Sequence, residues 1–477
     1  MTFVSLAFLV FMLILFPLYV LLPHRWQNHL LLVGSLVFYG WWDWRFLGLL
    51  AFTSTLDWWV GRILERTEDP GRRKFLLTAS ITANLVVLGF FKYFNFFAAS
   101  LAAGLAPFGI QLGWTTIHII LPIGISFYTF QSMSYTFDVY RRHMPTCRSW
   151  FEFMTFVSFF PQLVAGPIER AVDLIPRVQT PRRITRDAFT RGLFLILLGL
   201  FKKIAVSDGV AGSVDAIYNA THVVSGADVR MATWLFAVQI YCDFSGYSDI
   251  ARGLAKILGF DLMTNFNQPY VSKNPVEFWS RWHISLSTWL RDYLYIPLGG
   301  NRGGPGQTYR NLMTTMTLGG LWHGAAWNYV LWGVYQGAIL CVHRLWAGAR
   351  NTAQKSAQKA AAGGWVRVLQ VAFFFQVVCY GWLLFRARSF GQIVAFTRDA
   401  LFEWRLPAHV PTPSLPALAG LALIVALEVW QSAAAGGRAQ FYRAWPAPVR
   451  GLVYAALLTV LFMGLSNAPS QFIYFQF

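Results

Sequence analysis

A chain of 477 residues that is 56% hydrophobic, 17% aromatic and only 13% charged stands far from soluble domains, in which roughly a quarter of residues carry charge. That balance excludes a water-soluble fold and leaves one continuous membrane domain, residues 1–477, as the economical reading. The formal charge of +18 admits nucleic-acid binding, but Lys and Arg sit in short loops between apolar runs, as on the cytoplasmic side of membrane proteins. The lipid bilayer is therefore the expected partner and nucleic acid is not, while basic inner loops also suit steering of an anionic donor such as a CoA thioester.

In chain order, the first apolar run is Phe3 to Leu22, the length a helix needs to cross about 30 Å of hydrocarbon. No basic stretch precedes it and Leu22-Pro23-His24 is no small-residue cleavage site, so it reads as a retained span and not a signal peptide. Tyr39-Gly-Trp41-Trp42-Asp-Trp44 has the composition of an aromatic belt. Arg62 to Lys74 is a basic loop on the inner side; Phe75 to Ala99 goes out and Thr115 to Phe137 returns to Arg141, Arg142 and Arg148.

Phe151 to Ile168 is apolar yet has basic loops on both sides, which predicts a re-entrant segment. Its two prolines, Pro161 and Pro167, break helices, and broken backbone at membrane depth persists only when buried in protein or lining a wet cavity. Asp187 to Val206 goes out and Met231 to Leu258 returns. Between Arg310 and Arg344 an even number of crossings is required, as two short helices or a dipping hairpin. The loop Arg344 to Arg367 has five basic residues and no acidic one, an inside signal. Val368 to Phe385 then exits, Leu415 to Trp430 enters, Arg438, Arg443 and Arg450 hold a further inner loop, and Leu452 to Leu465 exits. The tail, Ser466 to Phe477, is left on the outer face.

Cys147, Cys242, Cys341 and Cys379 lie far apart without a C-x-x-C pair, so neither a zinc site nor a disulfide framework is indicated. Polar residues inside apolar runs are the better guide to chemistry, because a charge at membrane depth costs roughly 2.5 kcal/mol or more. His323, in Leu318-Gly-Gly-Leu-Trp-His-Gly-Ala-Ala-Trp-Asn328, has apolar and small neighbours, a setting that favours a neutral ring able to accept a proton. The same pattern fits a packing histidine bonded to a helix carbonyl. His283 stands among Trp279, Arg281, Trp282, Arg291 and Asp292, as an inner-face catalytic element or as an interface anchor. Arg281 and Arg291 suit donor phosphates, which arginine grips bidentately, and equally mark the inside. Asp243, Ser245 and Asp249 read as structural or tunnel-lining groups. No H-x-x-x-x-D, G-x-S-x-G, P-loop or H-E-x-x-H pattern is present.

Taken together, Phe159-Phe-Pro-Gln-Leu-Val-Ala-Gly-Pro-Ile168, Asp243-Phe-Ser-Gly-Tyr-Ser-Asp249, Phe278-Trp-Ser-Arg-Trp-His-Ile-Ser-Leu-Ser287, Arg291-Asp-Tyr-Leu-Tyr-Ile-Pro-Leu-Gly-Gly300 and Leu321-Trp-His-Gly324 resemble the membrane-bound O-acyltransferases. The resemblance is to their bacterial branch of alginate O-acetylation and teichoic-acid D-alanyl transfer, and it covers most of Asp138 to Gly337. It implies an all-α polytopic protein of a bacterial inner membrane, with about eleven crossings and re-entrant segments around a central tunnel and a catalytic core at residues 138–337. An acyl thioester, acetyl-CoA first, enters from the cytoplasm as substrate; a polysaccharide acceptor waits outside; no metal is needed. The paired family positions fall on His283 and His323, with His323 as the base, and Arg281, Arg291 and Asn328 are the donor-binding candidates. The aromatic tail, residues 466–477, resembles a C-terminal motif linked to passing the acyl group to a separate extracytoplasmic transferase of the serine-hydrolase-like type, with Tyr474 as the acyl carrier. D-alanyl transfer and peptidoglycan O-acetylation are the neighbouring chemistries. A non-enzymatic transporter or flippase is the competing class, but the inverted repeats it favours are not evident.

Overall fold

The computed structural model describes residues 1–110, 119–164, 166–221, 224–353, 364–406, 410–433, 445–465 and 471–473, and these are helical with no strand among them. Two compact units result, one of Met1–Ile196 with Ile250–Met263, the other of Leu197–Asp249 with Thr264–Phe477.

In the first unit the chain runs through α1 (Leu6–Leu21), α2 (His24–Gly40), α3 (Leu47–Arg66), α4 (Pro70–Leu88), α5 (Phe94–Leu105), α6 (Ile125–Tyr140), α7 (Trp150–Ser158), α8 (Phe160–Leu163) and α9 (Ala171–Gln179) into the start of α10 (Arg186–Leu200). The expected basic loop from Arg62 to Lys74 shrinks to the three residues between α3 and α4. Asp69 is the reason: its carboxylate accepts the Arg72 N–H at 2.6 Å, with Pro70 at the first helical position, a paired start signal that draws the helix into the basic run. The return span begins at Ile125 because Gly124 has φ +78°, and a β-carbon there would lie 2.6 Å from the Leu163 carbonyl oxygen. The proline-bearing segment is indeed broken: α7 ends before Phe159, Pro161 opens α8, and Phe153 to Leu163 are buried throughout.

At the centre of this unit Asp57 of α3 is fully buried. Its carboxylate accepts hydrogen bonds from Ser80 and Asn84 of α4 and from Ser132 of α6, the two Asn84 contacts at 3.0 and 3.1 Å. One side chain thus ties three helices together. Close packing seconds it, since a β-carbon on Gly61 of α3 would meet the Tyr135 ring at 2.5 Å.

The second unit continues α10 into a π-helical stretch, Phe201–Ser207, then α11 (Asp208–Tyr218), α12 (Gly226–Ile257, through Asp249 in this unit), α13 (Pro275–Trp279), α14 (Ile284–Leu290), α15 (Gly304–His323), α16 (Trp327–Ala353), α17 (Gly364–Arg386), α18 (Phe390–Phe402), α19 (Leu415–Ala433) and α20 (Ala447–Gly464). The stretch between Arg310 and Arg344 is a hairpin, made of two long helices and not two short ones. Helix α18 lies where the sequence suggested no element; it starts at Ser389, whose hydroxyl accepts the Gln392 N–H at 3.1 Å.

Among the described residues three stretches are long and apolar enough to cross a membrane, Pro70–Phe108, Trp365–Arg386 and Ala447–Gly464, with Leu6–Leu21 and Leu415–Gln431 as shorter apolar helices. Other helices fail that test for a visible reason. In α6, for example, Ser126, Thr129, Gln131, Ser132, Ser134 and Thr136 are polar but buried inside the protein.

Candidate active site

Helices α15 and α16 create the first half of the site. A β-carbon on Gly320 would lie 2.2 Å from the Tyr329 carbonyl oxygen, and one on Gly333 would lie 2.5 Å from the Met316 carbonyl oxygen. Only glycine permits this backbone-to-backbone approach, the small-residue packing typical of membrane helices. The crossing presents His323, the last residue of α15, to the aromatic side chains of α16 and α17. Its ring centroid is 5.1 Å from Trp332, 5.7 Å from Phe385 and 5.2 Å from its neighbour Trp322, each nearly perpendicular. The imidazole is buried at 5% exposure.

The other half comes from the turn between α13 and α14. His283 caps α14 with φ 42° and ψ 54°, a left-handed conformation that is uncommon for a residue with a side chain and that clusters at functional sites. Asn265 holds it there. The Asn265 carbonyl accepts the Ile284 N–H at 2.9 Å, while its side-chain oxygen accepts from Ser285 Oγ at 3.0 Å and lies 3.1 Å from His283 Nδ1. The Asn265 amide donates to Ser248 Oγ at 3.1 Å, which connects the turn to α12. His283 has no exposed surface, with Phe244 edge-on at 4.7 Å. The two imidazole centroids are 6.4 Å apart, too far for a direct hydrogen bond.

The same unit also buries an ordered cluster of charge. The π-helical stretch Phe201–Ser207 has a wider turn than an α-helix, an arrangement frequent at functional sites, and it carries Lys202 and Lys203, both buried. Lys202 pairs with Asp249 at 2.7 Å, and Lys203 bridges Asp208 at 2.7 Å and Asp243 at 2.8 Å. The remaining oxygen of Asp243 accepts the backbone N–H of Ile473 at 2.6 Å. Phe472 packs on Tyr247 at 4.1 Å and on Phe244 at 6.1 Å, the same Phe244 that meets His283. Phe472 and Ile473 are therefore held inside this unit, with Phe244 between Phe472 and His283. Tyr474 follows Ile473 directly but lies outside the described residues.

The donor-binding candidates are all engaged within the protein. Arg281 pairs with Glu277 at 2.8 Å and also donates to the Asn267 carbonyl at 3.4 Å. Arg291 grips Asp292 through two bonds of 2.7 and 3.2 Å, with its side chain 59% exposed. Asn328 donates its amide to the carbonyls of Phe385 and Ala387, at 3.0 and 3.1 Å, fastening the start of α16 to the end of α17. Sequence reasoning missed Asn265, Lys203 and Asp208. A signal existed for Lys203, since two adjacent lysines in the apolar run from Phe194 to Val206 needed buried partners; nothing local distinguishes Asn265 from a loop asparagine.

Comparison with known proteins identifies the family. The model of the membrane-bound O-acyltransferase family matches residues 74–383. The chain is 45% identical to a probable alginate O-acetylase of Azotobacter vinelandii over 82% of this chain and 76% of that protein. It is 39% identical to a probable alginate O-acetylase of Pseudomonas putida over the whole of both. A peptidoglycan O-acetyltransferase of Helicobacter pylori is 33% identical, over 77% of this chain and 72% of the relative.

Proposed function

The chain belongs to the membrane-bound O-acyltransferase family and is an acyltransferase of the membrane, and from that premise we propose that it moves acetyl groups from cytoplasmic acetyl-CoA towards an exported polysaccharide such as alginate. The observation that carries the reading is the pair of buried imidazoles, 6.4 Å apart, in the same unit as the anchored residues Phe472 and Ile473. His323 is the base. Its neutral ring takes the proton of an incoming hydroxyl as that oxygen attacks the thioester carbonyl; the carbon–sulfur bond breaks, and the imidazolium returns the proton to the departing CoA thiolate. His283, fixed by Asn265, faces the same reacting group from the donor side, with Arg281, Arg291 and Asn328 around the donor entrance.

The polypeptide is a multi-pass protein of the bacterial inner membrane, with about eleven crossings around its tunnel. In this reading the first acceptor is the phenol of Tyr474. The Asp243 anchor on Ile473 supports it, because Ile473 is held there and its neighbour Phe472 packs on Phe244, the ring that meets His283. A phenol, with pKa about 10, leaves an ester more easily than a sugar alcohol does. An extracytoplasmic serine-hydrolase-like partner then takes the acetyl group and passes it to the polymer. The peptidoglycan O-acetyltransferase relative supports a second acceptor, peptidoglycan, through the same steps.

Purified protein given labelled acetyl-CoA should release CoA and retain label on the tail, and absence of thioester turnover would overturn the acetyl-CoA assignment. Tyr474→Phe should assemble normally yet block polymer acetylation. Unchanged polymer acetylation in that variant would reduce the tail to an anchor or docking peptide.

A further inference from the structure

On the first unit, remote in sequence from the histidines, Trp58, Trp59, Arg62, Ile63, Arg66, Thr67, Arg72 and Arg148 line an open cavity of about 540 Å³. Four guanidinium groups and two indoles share it, and no carboxylate is in its lining. Of the acidic residues of the same stretch, only Glu65 pairs with a guanidinium of the lining, that of Arg62. Glu65 accepts from Thr146 at 2.6 Å and from Arg62 at 3.2 Å, Glu68 pairs with Arg142 at 2.5 Å, and Asp69 caps α4. Arg66, Arg72 and Arg148 have no carboxylate partner among the described residues.

Basic residues on inner loops are expected of any multi-pass protein, but that bias acts through net position and requires neither a cavity nor three arginines gathered in it without a carboxylate partner. Like charges gathered in a concavity repel one another unless a counter-ion joins them. Guanidinium matches phosphate oxygens with two parallel hydrogen bonds, and indoles settle at the headgroup level of a bilayer. Trp58 is fixed for such a role by its bond to the Cys147 carbonyl at 2.9 Å, while Trp59 is 57% exposed.

We propose that this cavity is a binding site for a phosphate ester anion, supplied either by the headgroup of an anionic phospholipid or by the phosphates of a nucleotide thioester. The lipid source is separate from the acyl-transfer reading and stands or falls without it, whereas the nucleotide source rests on that reading. Each arginine near a membrane surface contributes about 5-fold to the affinity for anionic lipid at low salt, so removing three weakens binding roughly 100-fold.

The test titrates full-length protein in neutral detergent with phosphatidylglycerol, phosphatidylcholine or free CoA, followed by native mass spectrometry. Wild type should retain phosphatidylglycerol in preference to phosphatidylcholine, and the triple variant Arg66→Gln, Arg72→Gln, Arg148→Gln should bind it about 100-fold more weakly. Arg142→Gln, altering an arginine already paired with Glu68, should bind like wild type. If CoA displaces the lipid and itself depends on the three arginines, the phosphate site stands and its source is the nucleotide. If the triple variant retains phosphatidylglycerol and CoA as wild type does, or loses them no more than Arg142→Gln, the cavity is a topological marker and the proposal is wrong. Should the triple variant fail to fold, Arg148→Gln alone, on an exposed loop position, should still weaken binding about 5-fold, and wild-type retention there overturns the site.

Discussion

The two units bury charge at their centres and neutralise it by opposite means. In the first, Asp57 is surrounded by neutral donors, Ser80, Asn84 and Ser132, all supplied by neighbouring helices. In the second, Lys203 sits between Asp208 and Asp243, and one oxygen of Asp243 reaches out to the tail. The first arrangement is closed: each of its bonds is internal and its product is rigidity. The second is open, because one member of the ion cluster binds a segment that arrives from the far end of the chain. Burial is costly for both, and only the second spends part of its hydrogen-bonding capacity on the site.

Four substitutions test that contrast. His323→Ala, in the open unit, should lower acyl transfer by about 10²–10⁴-fold, the usual contribution of a general base, with thermal stability close to wild type; near-normal activity would remove His323 from the mechanism. Asp57→Leu, in the closed unit, should do the reverse. It orphans buried donors at roughly 1–3 kcal/mol each, so the melting temperature should fall clearly while activity per folded molecule persists, and an unchanged melting curve would show that the cluster holds nothing together. Asp243→Asn keeps an acceptor for Ile473 but weakens it, and should reduce polymer acetylation about 10-fold while thioester turnover with a small soluble acceptor stays within about 2-fold; equal losses in both assays would mean that Asp243 supports the fold and not the tail. Arg291→Gln should have the smallest effect, raising KM for acetyl-CoA by about 3-fold without changing kcat or stability, since an exposed ion pair contributes little. A fall in kcat instead would move Arg291 into the chemistry.

The pattern of what the sequence disclosed follows from the range of each interaction. His323 stood out as a polar side chain in an apolar run, His283 was paired with it only through the family resemblance, and the break near Pro161 was legible because proline acts on its own helix. The start of α4 was written in Asp69 and Pro70 but was masked by the charge of the residues after it. By contrast, the contact between Asp243 and Ile473 joins positions 230 residues apart, and the role of Asn265 depends on a turn 18 residues later. Hydropathy also understates this fold, as α6 shows: helices that turn hydroxyls and amides towards one another look polar in sequence while being sheltered in the protein.

The glycine crossing of α15 and α16 has a mechanical meaning. With a carbonyl oxygen 2.2 Å from where a β-carbon on Gly320 would be, and another 2.5 Å from where one on Gly333 would be, the two helices leave no gap between their backbones at the crossing. They behave as a single beam, and His323 at the tip of one travels with Tyr329 and Trp332 on the other. A side chain larger than hydrogen at Gly320 or Gly333 would therefore push the two helices apart and displace His323 from Trp332 and Phe385.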